Sequence, residues 1–312
     1  MGESIDTIRL NLGEGGLLVM NISLAIIMFG VALELSVNDF RRLLKNPKST
    51  LVGLFSQFVL LPAITFSLVL FFEPHPSLAL GMFMVAACPG GNISNFFSLL
   101  AKGNAALSVS MTAVVTSLAI IMTPFNFTIW ASLYEPTHQI MRDIHINLWQ
   151  VFKIIGLILG APLILGMTVR QWQEDLAQKI SKWIKGFGIL FFAGFVLVAF
   201  AMNFENFISY VHLVIMLVFF HNAFALTGGY GLASIFSLPE KDRRSVAIET
   251  GIQNSGLGLL LIFNFFDGLG GMALVAAWWG IWHIITGLGV SWYWSTGKPA
   301  IERVIGNAQL GS

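Results

Sequence analysis

Nine stretches of this chain stay apolar for the thickness of a bilayer, and that pattern constrains the fold more than any single motif. A membrane-crossing helix needs about 20 mostly apolar residues. Runs of this kind, bounded by charges or turn residues, occupy residues 17–35, 49–72, 78–101, 105–134, 148–169, 186–204, 210–238, 246–266 and 272–294. Charged residues make up only 11% of the chain, against about 25% in soluble domains. The reading is an all-α polytopic membrane protein with nine spans, its solvent the lipid bilayer. A formal net charge of +1 gives no reason to expect nucleic acid as a partner. The single cysteine, Cys88, excludes a disulfide framework and any multi-cysteine metal site. No basic segment precedes the first apolar run, so no cleaved signal is expected.

An odd number of spans puts the termini on opposite faces, and the Lys/Arg bias of the loops says which face is cytoplasmic. Grouping alternate loops leaves Arg9, Arg142 and Lys153 on one side and the remainder of the 17 Lys and Arg on the other. Residues 1–16 are therefore expected outside and the tail 295–312 in the cytoplasm. The protein is expected in the plasma membrane, or the inner membrane of a bacterium. Adding or losing one helix would scramble the grouping downstream. The loops are short, so the chemistry must lie within the bilayer.

Two spans interrupt themselves. In "ACPGGNISN" (Ala87–Asn95) Pro89 removes a backbone donor and Gly90-Gly91 favours unwinding. The segment "SVAIETGIQNSGLGLLLIF" from Ser245 has the same design, with Gly251 and Gly256 bracketing Gln253, Asn254 and Ser255. Hydrocarbon offers backbone groups no partners, so broken helices are tolerated only where protein or a watery cavity surrounds them. Two interrupted, amide-rich spans in corresponding places of two halves point to the substrate site of a transporter built from inverted repeats. The halves are residues 17–134, with four spans, and 148–294, with five.

Among sixteen Asp and Glu, only Glu249 falls inside a run destined for the bilayer. Burying an acid there costs on the order of 2.5–3.5 kcal/mol, so it needs a partner. No Lys or Arg lies deep in any run, which leaves a bound cation or a proton. Nearby oxygens point to a cation: Ser94 and Asn95 follow the first break, Ser108 and Thr112 share one helix face, and Gln57 interrupts the second run. Carboxylate, amide and hydroxyl oxygens suit a hard cation, and unwound carbonyls are where transporters hold sodium. Asn222 in "FFHNAF" is a partial counterpart of Gln57. His212, His221 and His283 share no metal-ligand spacing, and "WWGIW" reads as aromatic belt and packing.

The stretches "CPGGNISNFFSLLAKGNAALSVSMT" (Cys88–Thr112), "SQFVLLP" (Ser56–Pro62) and "ETGIQNSG" (Glu249–Gly256) resemble the bile acid:sodium symporter family, and the likeness runs in order through nearly the whole chain. What the resemblance implies is a core domain and a panel domain, with two broken helices crossing in the core and two Na+ sites behind the crossing. One site would use Ser94, Asn95, Ser108, Thr112 and Glu249. The other would use Gln57, Glu249, Gln253 and carbonyls around Thr250 and Ile252. Asn92 and Asn254 would face the substrate. Some bacterial relatives have ten spans, and the resemblance implies that this chain is without the first of them. In "WHIITG" it carries Ile284 where a polar residue is expected from some of those relatives.

The resulting expectation is a sodium-coupled symporter that imports an organic anion, bile acid-like or pantoate-like, by alternating access. Proton coupling on the same fold, a channel and a non-transporting sensor are the alternatives. An intramembrane enzyme is not expected, because GxSxG, HExxH and a second buried carboxylate are missing.

Overall fold

The computed structural model describes residues 5–10, 13–45, 47–143, 148–202 and 204–296. Fifteen helices account for almost all of it, and no strand forms among the described residues. The first part comprises α1 (Gly13–Ala32), the short polar α2 (Val37–Lys45), α3 (Pro47–Phe55), α4 (Leu61–Phe72), α5 (Pro76–Ala87), α6 (Ile93–Leu100), α7 (Ala105–Leu133) and α8 (Glu135–Asp143). The second comprises α9 (Leu148–Ile155), α10 (Ala161–Trp172), α11 (Glu174–Met202), α12 (Phe204–Ile235), α13 (Glu240–Gly251), α14 (Ser255–Phe265) and α15 (Gly270–Thr296).

Among the described residues six helical segments are long and apolar enough to cross a membrane, and Pro76–Ala87 and Ser255–Phe265 are shorter apolar helices. The runs 78–101 and 246–266 are each divided, into α5 with α6 and α13 with α14, and the run 186–204 lies largely within α11. The outer surface is what lipid would cover: Phe71, Leu157, Ile164 and Ile235 are large, apolar and exposed. An exposed apolar surface of that extent marks a membrane or partner face. The protein is a multi-pass membrane protein.

Two spans are continuous but loosened. Between α3 and α4 the turn Ser56–Leu60 is π-helical, with the Leu61 N–H donating to the Ser56 carbonyl. Pro62 follows at once, and its ring crowds the carbonyl four residues earlier, so the hydrogen-bond ladder slips by one. The turn Gly156–Gly160 before Pro162 repeats this, with the Ala161 N–H donating to the Gly156 carbonyl.

Helices α1, α10 and α11 pack on one another, and α1 also touches α14. Helix α13 sits among α3, α6, α7, α12 and α15, while α5 lies against α7 and α15. The N-terminal segment crosses the far end of this second group. The Leu10 N–H donates to the Gly268 carbonyl, the Gly270 N–H donates to the Ile8 carbonyl, and the Asp6 carboxylate accepts the Ser77 N–H in the first turn of α5.

The polar start of α13 departs from the sequence reading, which left Asp242 and Arg244 to a loop. Both are helical and buried. Asp242 accepts hydrogen bonds from Ser49 at 2.6 Å and Asn104 at 2.8 Å. Arg244 donates to Glu240 and to the carbonyls of Ala101 and Trp294. These ties hold the ends of α3, α6, α7, α13 and α15 together, and each buried charge has the partners it needs. Trp279 lies in the core rather than in a belt, its indole against the ring of His221.

Candidate cation and substrate site

Both interrupted helices break at the same level and are joined there. The Gly91 N–H donates to the Ile252 carbonyl at 2.8 Å, and the Asn254 N–H donates to the Pro89 carbonyl at 2.9 Å. Gly90 and Gln253 thereby form an isolated antiparallel bridge. Each unwound stretch satisfies the other's backbone groups, which is how the breaks persist without water. The remaining carbonyls at the half-helix ends take side-chain amides: Gln57 donates to Cys88 at 2.9 Å, and Asn222 donates to Gly251 at 2.7 Å. A Cβ at Gly90 would lie 2.5 Å from Glu249 Oε1, so any side chain there would displace the carboxylate.

Glu249, in the last turn of α13, is fully buried. Its Oε2 accepts from Ser94 at 2.5 Å and Ser108 at 3.5 Å, and its Oε1 accepts from Thr112 at 2.9 Å. Asn95 Oδ1 accepts from the same Ser108 and Thr112 hydroxyls, at 2.8 and 3.1 Å. Oxygens from α6, α7 and α13 therefore converge on one carboxylate, and among the described residues no Lys or Arg forms an ion pair with it. The donor set is all hard oxygen, and the hydroxyls can turn their lone pairs inward. It fits a hard monovalent cation and lacks the thiolates or imidazoles that zinc or copper would take.

A second convergence lies one turn on. Gln253 Nε2 donates to Gln57 Oε1 at 3.0 Å, to the Thr250 carbonyl at 2.8 Å and to the Glu249 carbonyl at 3.3 Å. Three acceptors thus face a group with two hydrogens, so the spot is electronegative. Ser56, which the sequence reading passed over, adds its hydroxyl at 2.7 Å from the Thr250 hydroxyl. Its place beside Gln57, in a turn loosened by Pro62, is the signal that marks it. The Ile252 carbonyl accepts the Gly91 N–H at the crossing and keeps its second lone pair.

Asn92 and Asn254 occupy the N-cap positions of α6 and α14. The two helices begin at the crossing, so the positive ends of their dipoles collect there, an arrangement that suits an anion. Asn254 Oδ1 accepts the Leu257 N–H at 3.0 Å, and Asn92 makes no such cap.

The description "Sodium Bile acid symporter family" matches residues 21–210 of the chain. The chain belongs to that family. It is 30% identical to an uncharacterized sodium-dependent transporter (YocS) of Bacillus subtilis, over 88% of this chain and 83% of that protein. It is 30% identical to human sodium/bile acid cotransporter 4, over 78% of this chain and 55% of that protein. Identity to a probable chloroplastic sodium/metabolite cotransporter (BASS2) of Oryza sativa is 29%, over 83% of this chain and 64% of that protein. The chain thus spans about half to two thirds of the two eukaryotic relatives.

Proposed function

We propose that this family member is a sodium-coupled symporter that imports an organic anion, bile acid-like or pantoate-like, by alternating access. The observation that carries the reading is Glu249, buried without a cationic side chain and ringed by the oxygens of Ser94, Asn95, Ser108 and Thr112. One Na+ would sit there. A second would sit among Gln57, Glu249, Gln253 and the carbonyls near Thr250 and Ile252. Relatives named as sodium-dependent transporters and cotransporters support the choice of ion.

The same reading takes the chain as two inverted repeats, 17–134 and 148–294, with nine spans, residues 1–16 outside and 295–312 cytoplasmic. Two features support the repeat. The crossing pairs residues 89 and 91 with 252 and 254 reciprocally, and Gln57 and Asn222 each give an amide to the carbonyl just before its break. Helices α1, α10 and α11 would form the panel and the others the core, with Asn92 and Asn254 presented to the anion between them.

Sodium in both sites would draw the two breaks into the geometry that presents these donors. Substrate and ions that prefer the same geometry are coupled by it. Two sodium ions with one monoanion move net positive charge inward, each charge gaining about 2.3 kcal/mol per 100 mV.

Purified protein in proteoliposomes tests this. An inward sodium gradient should concentrate taurocholate or pantoate above the outside level, and a matched proton gradient in potassium should not. Uptake driven by the proton gradient alone would establish proton coupling at Glu249. Downhill leakage alone would establish a channel.

A further inference from the structure

Asn254 has its amide aimed by its own helix. The Leu257 N–H needs an acceptor in the first turn of α14 and takes Asn254 Oδ1 at 3.0 Å, so the amide cannot turn over without losing its cap. Its Nδ2 is thereby directed out of α14 and across to α1. Among the described residues its hydrogen-bond partner is the Met28 sulfur, at 3.8 Å. A thioether is a weak acceptor, so a well-oriented donor at the crossing meets a poor partner. Met28 itself is 2% exposed, packed on the face of α1 that also buries Met20 and Leu24, eight and four residues earlier.

We propose that the Met28 sulfur is a resident occupant of the substrate's donor at Asn254, displaced when the anion binds, and that Met28 thereby sets the affinity of the substrate site. The inference rests on the reading of Asn254 as a substrate-facing residue. An anionic oxygen accepts the Asn254 N–H far better than sulfur does, so the exchange favours the ligand. The methionine side chain has three rotatable bonds and can withdraw along α1 without moving the backbone. Residue 28 then sets how much the anion gains on arrival. A weak occupant leaves the full strength of the Asn254 hydrogen bond to the substrate, and a strong occupant competes with it.

Two substitutions of nearly unchanged size separate this role from simple packing. Met28→Gln supplies an amide oxygen one bond beyond the position of the sulfur, within reach of the Asn254 N–H 3.8 Å from that sulfur, and should hold it in the unliganded protein. Met28→Leu removes the sulfur and offers no acceptor. In sodium-driven proteoliposome uptake, Met28→Gln should raise the apparent KM for both taurocholate and pantoate about tenfold, the worth of one ordinary hydrogen bond. Met28→Leu should leave KM unchanged or lower it. The sodium-dependent rise in Tm without anion should be the same in both variants and the parent, since α1 contributes none of the cation-facing oxygens. Equal shifts of KM in the two variants, or no shift in Met28→Gln, would overturn the proposal while leaving sodium-coupled uptake by the parent intact. Failure of the parent itself to take up either anion would instead count against the transport reading.

Discussion

Gln57 and Gln253 face each other and exchange two hydrogen bonds, each Nε2 donating to the other's Oε1, at 2.9 and 3.0 Å. Gln57 lies in the π-helical turn between α3 and α4 and Gln253 in the unwound stretch between α13 and α14, and both are fully enclosed. The orientation of the Gln253 amide is set by its surroundings, because turning it over would press its oxygen against the Thr250 and Glu249 carbonyls. The nitrogen stands where three acceptors converge, the position a cation would take.

Replacing that nitrogen by oxygen should make the protein depend on sodium. Gln253→Glu sets a second carboxylate against those acceptors, and the loss should be about 1–3 kcal/mol of stability in sodium-free buffer, the cost of unsatisfied buried polar groups. Sodium should recover most of it. Thermal denaturation in potassium and in sodium chloride reads both quantities. A variant whose Tm matches the parent in potassium would show that the amide is not filling that position.

Glu249→Gln keeps the shape of the side chain and removes its charge. The amide oxygen keeps an acceptor for the hydroxyls on one side, and on the other its NH2 can donate to a hydroxyl oxygen that turns its own hydrogen toward Asn95, so the protein should fold and be purified as the parent is. Sodium-driven uptake should fall to background. The stabilisation by saturating sodium, about 2.7 kcal/mol at a hundredfold excess over Kd, should shrink to a small remainder from the second convergence. Undiminished uptake by this variant would remove Glu249 from the ion's path.

Gly90→Ala places a methyl group within 2.5 Å of Glu249 Oε1 and 2.9 Å of its Cδ. The carboxylate must give way, and the oxygens from three helices no longer meet. Apparent sodium affinity should drop by about tenfold or more, equivalent to one charge-assisted contact. Gly15→Ala, where a methyl group meets nothing within 4 Å, serves as the control and should leave affinity unaltered. Isothermal titration with sodium distinguishes the two.

Asn21 of α1 and Asn264 of α14 also exchange hydrogen bonds, at 3.2 and 2.8 Å. The pair should contribute coupling energy of about 0.6–1.7 kcal/mol, as interhelical polar pairs in membrane proteins do. A double-mutant cycle with Asn21→Ala and Asn264→Ala, followed by thermal unfolding in detergent, measures it. Strict additivity would mean that the two amides do not hold α1 to α14.

What the sequence determined by itself is whatever depends on neighbours along the chain. Apolar runs long enough to cross lipid, the proline and glycines that cannot continue a helix at Pro89–Gly91, and a carboxylate stranded at Glu249 are all local properties. Each could be read without knowing what lies beside it. The oxygens around Glu249 were legible as a set because Ser94 and Asn95 follow one break, and Ser108 and Thr112 share a helix face. Tertiary structure alone decided the partners. That Gly90 lies against Gln253, that Gln57 serves both breaks, that the Ile252 carbonyl is used in the crossing, and that Asp242 and Arg244 are buried all depend on contacts between residues far apart in sequence. Hydrogen-bond partners of this kind are chosen by which helices pack together, and a side chain's own identity says only that it must find one.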